Sequence, residues 1–274
     1  MPPNDLQDCK SCRRRRLEEA SRRMRRRHCR SREAAELKSR YEFFMFDLKY
    51  LKKNQSFLAG CDEVGRGPLA GPVVACCVFL DLKKGTDHFK ILEQLKNWGV
   101  TDSKKLSEVK RETILQHLSL KNLVSNKNCA IGGTIFEPLV FRVEEISVLE
   151  IDQLNILNAS LLAMEKAYLG LLGDRSHSDG TLLIDGNKTL KGNRGIPIIK
   201  GDTKSLLIGL ASIIAKVYRD RLMKDFGVMY PHYGFEKNAG YPTEKHRKAL
   251  LEKGPCPIHR KTFKGVSEYF QRAE

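Results

Sequence analysis

The sequence predicts an α/β chain in which a mixed sheet is layered against helices. Three observations predict it. There are short apolar β-like runs, there are long segments with helical spacing, and strands come first before helix and strand alternate and helices close the chain. With 274 residues and 41% hydrophobic content, the chain can bury one sizeable core.

Phe57–Asp62 (FLAGCD) reads as a strand followed by a Gly/Pro-rich turn. Val73–Leu80 (VVACCVFL) reads as a second strand, apolar on both faces and so fully buried. Ser107–Leu118 has helical spacing, with Ser107 as N-cap. Asn128–Phe136 is a third strand candidate. Asp152–Leu172 reads as one long helix capped by Asp152, with Leu154, Leu157, Leu161, Leu162, Met164 and Tyr168 on one apolar face. Thr181–Asp185 and Ile196–Lys200 are short strands, and Lys204–Lys224 is a second long helix.

The net charge of +16 points to a polyanionic partner, nucleic acid before an anionic membrane. Residues 1–40 hold 14 Lys/Arg against 6 Asp/Glu, which is half of that excess. The 1–44 block is too polar to bury a core and is expected to be a disordered arm or a solitary charged helix; 45–274 is the expected globular domain. Met45 stands where the composition turns globular and offers an alternative start. Arginines without an apolar stretch behind them exclude a secretory signal, and Asp5, Asp8, Glu18 and Glu19 interrupt any transit peptide. No run approaches the length of a membrane span. Cys76 and Cys77 are neighbours in an apolar strand and read as buried small hydrophobes in a reducing compartment. Cys9, Cys12, His28 and Cys29 resemble a zinc set, but adjacent His28 and Cys29 are poorly spaced for one tetrahedral ion.

Asp62, Asp185 and Asp202 each end or follow a β-like run, and Glu63 adjoins the first. Carboxylates at the ends of neighbouring strands converge on one sheet edge, where they need a cationic partner; Mg²⁺ or Mn²⁺ suits such oxygen donors. As turn residues or helix caps they would be equally at home in Asp-Gly and Gly-Asp pairs. Side chains of adjacent strand residues face opposite sides, so Asp62 and Glu63 reach one site only if the strand ends or bends there, or if one lends its carbonyl. Gly65 and Gly67 permit such a bend, and Arg66 between them is either a phosphate contact or an exposed turn residue.

Residues 59–78, AGCDEVGRGPLAGPVVACCV, closely resemble the opening motif of bacterial ribonuclease HII. TDSKKLS (101–107), IDQLNILNASLLAM (151–164), LIDGN (183–187), KGDTKS (200–205), ASIIAKVYRD (211–220) and YPHYGFEKNAGYPTEKH (230–246) resemble later motifs of that family, in its order. The resemblance covers about 57–265. The related ribonuclease HIII usually has Glu as the fourth acid and a folded N-terminal domain; Asp202 and the polar arm favour HII. Leu207 and Leu210 depart from the small residues usual after the fourth acid, adding bulk to the helix packing.

The resemblance implies a ribonuclease H-like fold, a five-stranded mixed sheet flanked by helices, with a C-terminal helical region. It implies a catalytic metal site of Asp62, Glu63, Asp185 and Asp202. It implies hydrolysis of the RNA strand of RNA–DNA hybrids and cutting 5′ of ribonucleotides embedded in duplex DNA. The products are a 3′-hydroxyl and a 5′-phosphate, and two divalent ions, Mg²⁺ or Mn²⁺, take part. The 2′-hydroxyl would be sensed by Gly65, Arg66, Gly67 and Tyr241. From its Gly-Tyr-Pro setting alone, Tyr241 reads as a core aromatic in a turn. Lys104, Lys105, Lys204 and Lys216 are candidate phosphate contacts or solvated surface lysines. His232, His246 and His259 receive no role. A monomeric cytoplasmic enzyme is expected. The competing readings are a DNA-junction nuclease of the same fold, which needs no ribose sensor, and a non-catalytic nucleic-acid binder, which needs no acidic quartet.

Overall fold

The computed structural model describes residues 42–271 apart from 44, 53, 83–86, 121, 122 and 124–130. The arm up to residue 41, with Cys9, Cys12, His28 and Cys29, lies outside the described residues, as do 128–130 of the third expected strand.

Among the described residues six strands form one sheet: β1 (Phe57–Val64), β2 (Val73–Asp81), β3 (Ile131–Phe136), β4 (Leu139–Ile146), β5 (Gly180–Asp185) and β6 (Ile196–Ile198). Their order is β3-β4-β2-β1-β5-β6, antiparallel from β3 through β1 and parallel from β1 through β6. The mixed sheet of an α/β fold is therefore present, with six strands where five are expected; the strand with no counterpart among the expected runs is β4, and β6 is a three-residue edge strand. Cys76 packs into the core on one face and Cys77 into the core on the other, both as free thiols.

The helices are α1 (His88–Asn97), α2 (Glu108–His117), α3 (Val148–Leu154), α4 (Ile156–Leu172), α5 (Leu206–Met229), α6 (Phe235–Asn238) and α7 (Glu244–Lys253). Ser107 caps α2 through a hydrogen bond from the Lys110 amide. The expected helix from Asp152 is two helices. Ser147 and Glu150 form a capping box that starts α3, and Asn155, at φ 65°, breaks the chain before α4. Asp152 caps nothing; its carboxylate accepts from the Lys261 and Thr262 amides and the Thr262 hydroxyl. The buried face of α4 is Ala159, Ala163, Met164, Ala167 and Tyr168, while Leu154 and Leu157 stay exposed. Small residues win that face because the helix lies close on β2 and β4.

On the opposite face, α5 crosses β1 and β2. Gly60 makes the close approach possible. A Cβ there would stand 2.5 Å from the Ile208 amide nitrogen and 2.6 Å from the Leu207 carbonyl carbon. The bulk of Leu207 and Leu210 is absorbed entirely in this core. Asp47, buried on a helical turn ahead of β1, adds a cap to α5: its Oδ2 accepts from the Leu206 amide (2.6 Å) and the Leu207 amide (3.3 Å). Phe43 packs into the same core. A third apolar cluster joins Leu69, Ala70 and Met223 to the C-terminal region through Tyr233, Phe235, Leu250 and Val266. Among the described residues no helix is long and apolar enough to cross a membrane.

Candidate active site

Strand register creates the acidic edge. Cys61 pairs with Ile184 across the parallel β1–β5 ladder, so the next residues, Asp62 and Asp185, stand level on adjacent strands. Alternation along each strand sends both toward the α5 face, as Leu58 and Leu183 on that face show. Asp202 follows β6 in a single 3₁₀ turn whose Gly201 amide donates to Asp185 Oδ1 (2.6 Å), with the Asp202 amide at 3.4 Å. These bonds draw the third and fourth acidic segments together.

Glu63 differs. β1 runs in unbroken register through Val64, so of the three ways to bring the pair to one site the bend is absent, and the two side chains leave opposite faces. Glu63 lies near the strand end, where its carboxylate still interacts with Asp185. Its Oε1 accepts from Arg66 Nη1 (3.2 Å), and its Oε2 is buried with no hydrogen-bond partner.

Three of these carboxylates are raised by their surroundings. Burial, then the charges of Glu63, Asp185 and Asp202, hold Asp62 well above the usual carboxylate range, against a hydrogen bond from Ser212. Burial raises Glu63 despite Arg66, and Asp185 adds to the rise. Burial, Asp185 and Asp102 raise Asp202, opposed by Lys104. The Lys104 ammonium stands 3.6 Å from Asp202 Oδ2; burial works against its charge, but the surrounding carboxylates prevail and raise it.

Among the described residues no three Asp, Glu, His or Cys side chains form a complete metal-holding set as they stand. The donor chemistry nonetheless fits a hard divalent cation: the donors are carboxylate oxygens with the Glu63 carbonyl beside them, the charges repel, and Glu63 Oε2 is an orphaned buried acceptor.

Of the expected sensing residues, Gly65 is buried while Arg66 and Gly67 are exposed on the turn after β1. Tyr241 is 43% exposed, so it is not a core aromatic. A Cβ on Gly67 would come within 3.3 Å of Tyr241 Cε1, so the turn and the ring are neighbours. Lys104, Lys105 and Lys204 are exposed, whereas Lys216 is ion-paired with Asp220 at 2.6 Å. His232 is exposed; His246 and His259 are buried and bond to each other through Nε2 (3.0 Å).

Sequence reasoning missed a hydroxyl relay. Ser212 on α5 lies beside Asp62, where its hydroxyl favours the charged carboxylate, and stands 2.8 Å from the Ser103 hydroxyl. The bond between the two hydroxyls ties the 101–107 lysine loop to α5 beside Asp62. It also missed Arg219 and Arg260, fully buried behind the glycine turn. An arginine inside the Ala/Ile-rich run 211–220 is the one signal that pointed there.

The ribonuclease H2 of Pyrococcus horikoshii has the same fold, with a TM-score of 0.55 and 25% identity, over 79% of this chain and 98% of that one. Fold and acidic edge together define a metal-dependent endoribonuclease of the ribonuclease H type. The sequence model described as Ribonuclease HII matches residues 59–266. The ribonuclease HII of Fusobacterium nucleatum is 44% identical over 223 residues, 80% of this chain and 89% of that protein. That of Bacillus subtilis is 41% identical over 227 residues, 82% and 77% respectively. The chain belongs to the ribonuclease HII family, whose members degrade the RNA of RNA–DNA hybrids.

Proposed function

We propose that the enzyme, besides degrading hybrids, cuts 5′ of ribonucleotides embedded in duplex DNA and leaves a 3′-hydroxyl and a 5′-phosphate. The observation that carries this reading is the level pair Asp62 and Asp185 on parallel strands, with Asp202 one turn away and the exposed Tyr241 ring against Gly67. Asp62, Asp185 and Asp202 would hold two Mg²⁺ or Mn²⁺ ions, with Glu63 lending its backbone carbonyl or its carboxylate from the strand end; the ions would supply an activated water and offset charge on the phosphate and the leaving 3′-oxygen.

The chain's own groups do the rest. The Glu63 amide holds Asp62 Oδ1 with the Ser212 hydroxyl beside it, and the Gly201 amide fixes Asp185. Lys104, Lys105 and Lys204 contact phosphates; Lys216 contributes less, because Asp220 engages it. Gly65, Arg66 and Gly67 read the 2′-hydroxyl through backbone groups, while Tyr241 stacks on the sugar or base. One copy carries all of these residues, so a monomer suffices. The free buried thiols suit a reducing compartment such as the cytoplasm.

Three substrates test the reading, each with Mg²⁺, Mn²⁺ or chelator: a duplex with one ribonucleotide, an RNA–DNA hybrid and plain DNA. Cleavage 5′ of the single ribonucleotide with a metal present, and none of plain DNA, is expected. Equal cleavage of plain DNA would instead identify a junction-type nuclease.

A further inference from the structure

Arg219 and Arg260 are fully buried, and the hydrogen bonds of both go to backbone carbonyls rather than carboxylates. Arg219 donates to Pro72, Ala70 and Ala239. Arg260 donates through Nε to Gly71 (3.0 Å), through Nη1 to Arg66 (3.0 Å) and through Nη2 to Gly65 (2.5 Å). Its guanidinium also lies 4.9 Å from the Phe263 ring centroid, which fixes the plane of the fork.

The consequence follows from peptide geometry. In a trans peptide, the carbonyl and the N–H of the next residue point in opposite directions. Drawing the Gly65 and Arg66 carbonyls inward therefore turns the Arg66 and Gly67 amides outward. Residues 66 and 67 are the exposed ones, and the adjacent ring is Tyr241. Gly65 has φ +95°, and a Cβ there would stand 2.3 Å from Arg219 Nε, so the turn is packed directly onto the buried guanidiniums.

We infer that Arg260 is a positioning residue for ribose recognition, aiming the Arg66 and Gly67 amides at the 2′-hydroxyl from behind the turn. The inference rests on the proposed reading of that turn as the ribose sensor. It assigns specificity to a residue more than 190 positions away in sequence that touches no substrate. Lysine is a poor replacement, because donors radiating from one nitrogen do not reproduce a planar fork spread over three carbonyls.

The test crosses enzyme variants with the substrate's 2′ group. The kcat/KM is measured on a duplex with a single ribonucleotide and on the same duplex with 2′-fluoro at that position, a substituent of similar size and poor accepting power. Wild type prefers the hydroxyl. Arg260→Lys shrinks this preference by about tenfold or more, the worth of one well-made hydrogen bond. Phe263→Leu, which leaves the guanidinium but frees its plane, shrinks it less and serves if Arg260→Lys does not fold. A preference equal to wild type in the folded variants, even with lower overall kcat/KM, would overturn the positioning role alone. A wild type indifferent to the 2′ group would overturn the sensor reading and this inference with it.

Discussion

Asp185→Asn removes one charge from the acidic edge and little else. The asparagine carbonyl still accepts from the Gly201 amide, as the carboxylate does. Asp185 stands level with Asp62 across one strand spacing, about 4.8 Å. Two full unit charges at about 5 Å would repel by roughly 3 kcal/mol at an effective dielectric of about 20, an upper bound here because the raised Asp62 carries less than a full charge. Lys104 and Arg66 offset part of that, so without metal the variant gains about 1–3 kcal/mol of stability. For a domain of this size the melting temperature then rises by roughly 2–10 °C in EDTA. Added Mg²⁺ stabilises the wild type by binding the native state, and that increment shrinks or vanishes in the variant. Cleavage falls by on the order of 10²–10³ or more. Thermal unfolding with EDTA or Mg²⁺, paired with single-turnover cleavage, reads all three quantities. A variant less stable than wild type in EDTA would refute the repulsion argument, and undiminished cleavage would refute the site.

Other perturbations separate the parts of the account. Tyr241→Ala lowers kcat/KM at a single embedded ribonucleotide by about tenfold to a hundredfold, the scale of one stacking contact, with little change in melting temperature because the ring is half exposed; undiminished cleavage there counts against the stacking role. Gly60→Ala drives a methyl into the backbone of α5 and costs about 1–3 kcal/mol or more, so an unchanged melting temperature would contradict the close packing of α5 on β1. Burial and the neighbouring His246 push His259 down to about 4. Folding thus favours its neutral form, and this contribution is complete above pH 6.5 and lost as pH falls from there through 4. His259→Gln flattens that part of the stability curve, and parallel curves for variant and wild type would reject it. Deleting residues 1–40, ahead of the packed Phe43, makes duplex binding less salt-dependent; an unchanged slope would mean the arm does not touch the duplex.

Much of the fold was legible because periodicity and burial agree in its central elements. FLAGCD and VVACCVFL are apolar on both faces, as central strands covered by helices on both sides must be. β4 escaped because Arg142, Glu144 and Glu145 interleave its apolar residues, and two of them pair with each other beneath α4, against Gly170, Arg142 Nε donating to Glu144 at 2.7 Å. The break at Asn155 escaped because apolar spacing continues across it; only the positive φ reveals it. The acidic residues could be grouped by their positions at strand ends. Their geometry could not, since the level pairing of Asp62 with Asp185 depends on strand register and the divergence of Glu63 on β1 continuing to Val64. Ser212, Arg219 and Arg260 were invisible as partners because each acts across the fold on groups distant in sequence.

The central claim is that carboxylates gathered from three separate segments hold divalent ions at one edge of the sheet. Titrating Mn²⁺ into the wild type, Asp62→Asn and Asp185→Asn, and following the free ion by electron paramagnetic resonance, tests it most directly. Specific binding by the wild type, weakened at least about tenfold in both variants, is the predicted result. Equal Mn²⁺ binding by all three proteins would contradict it.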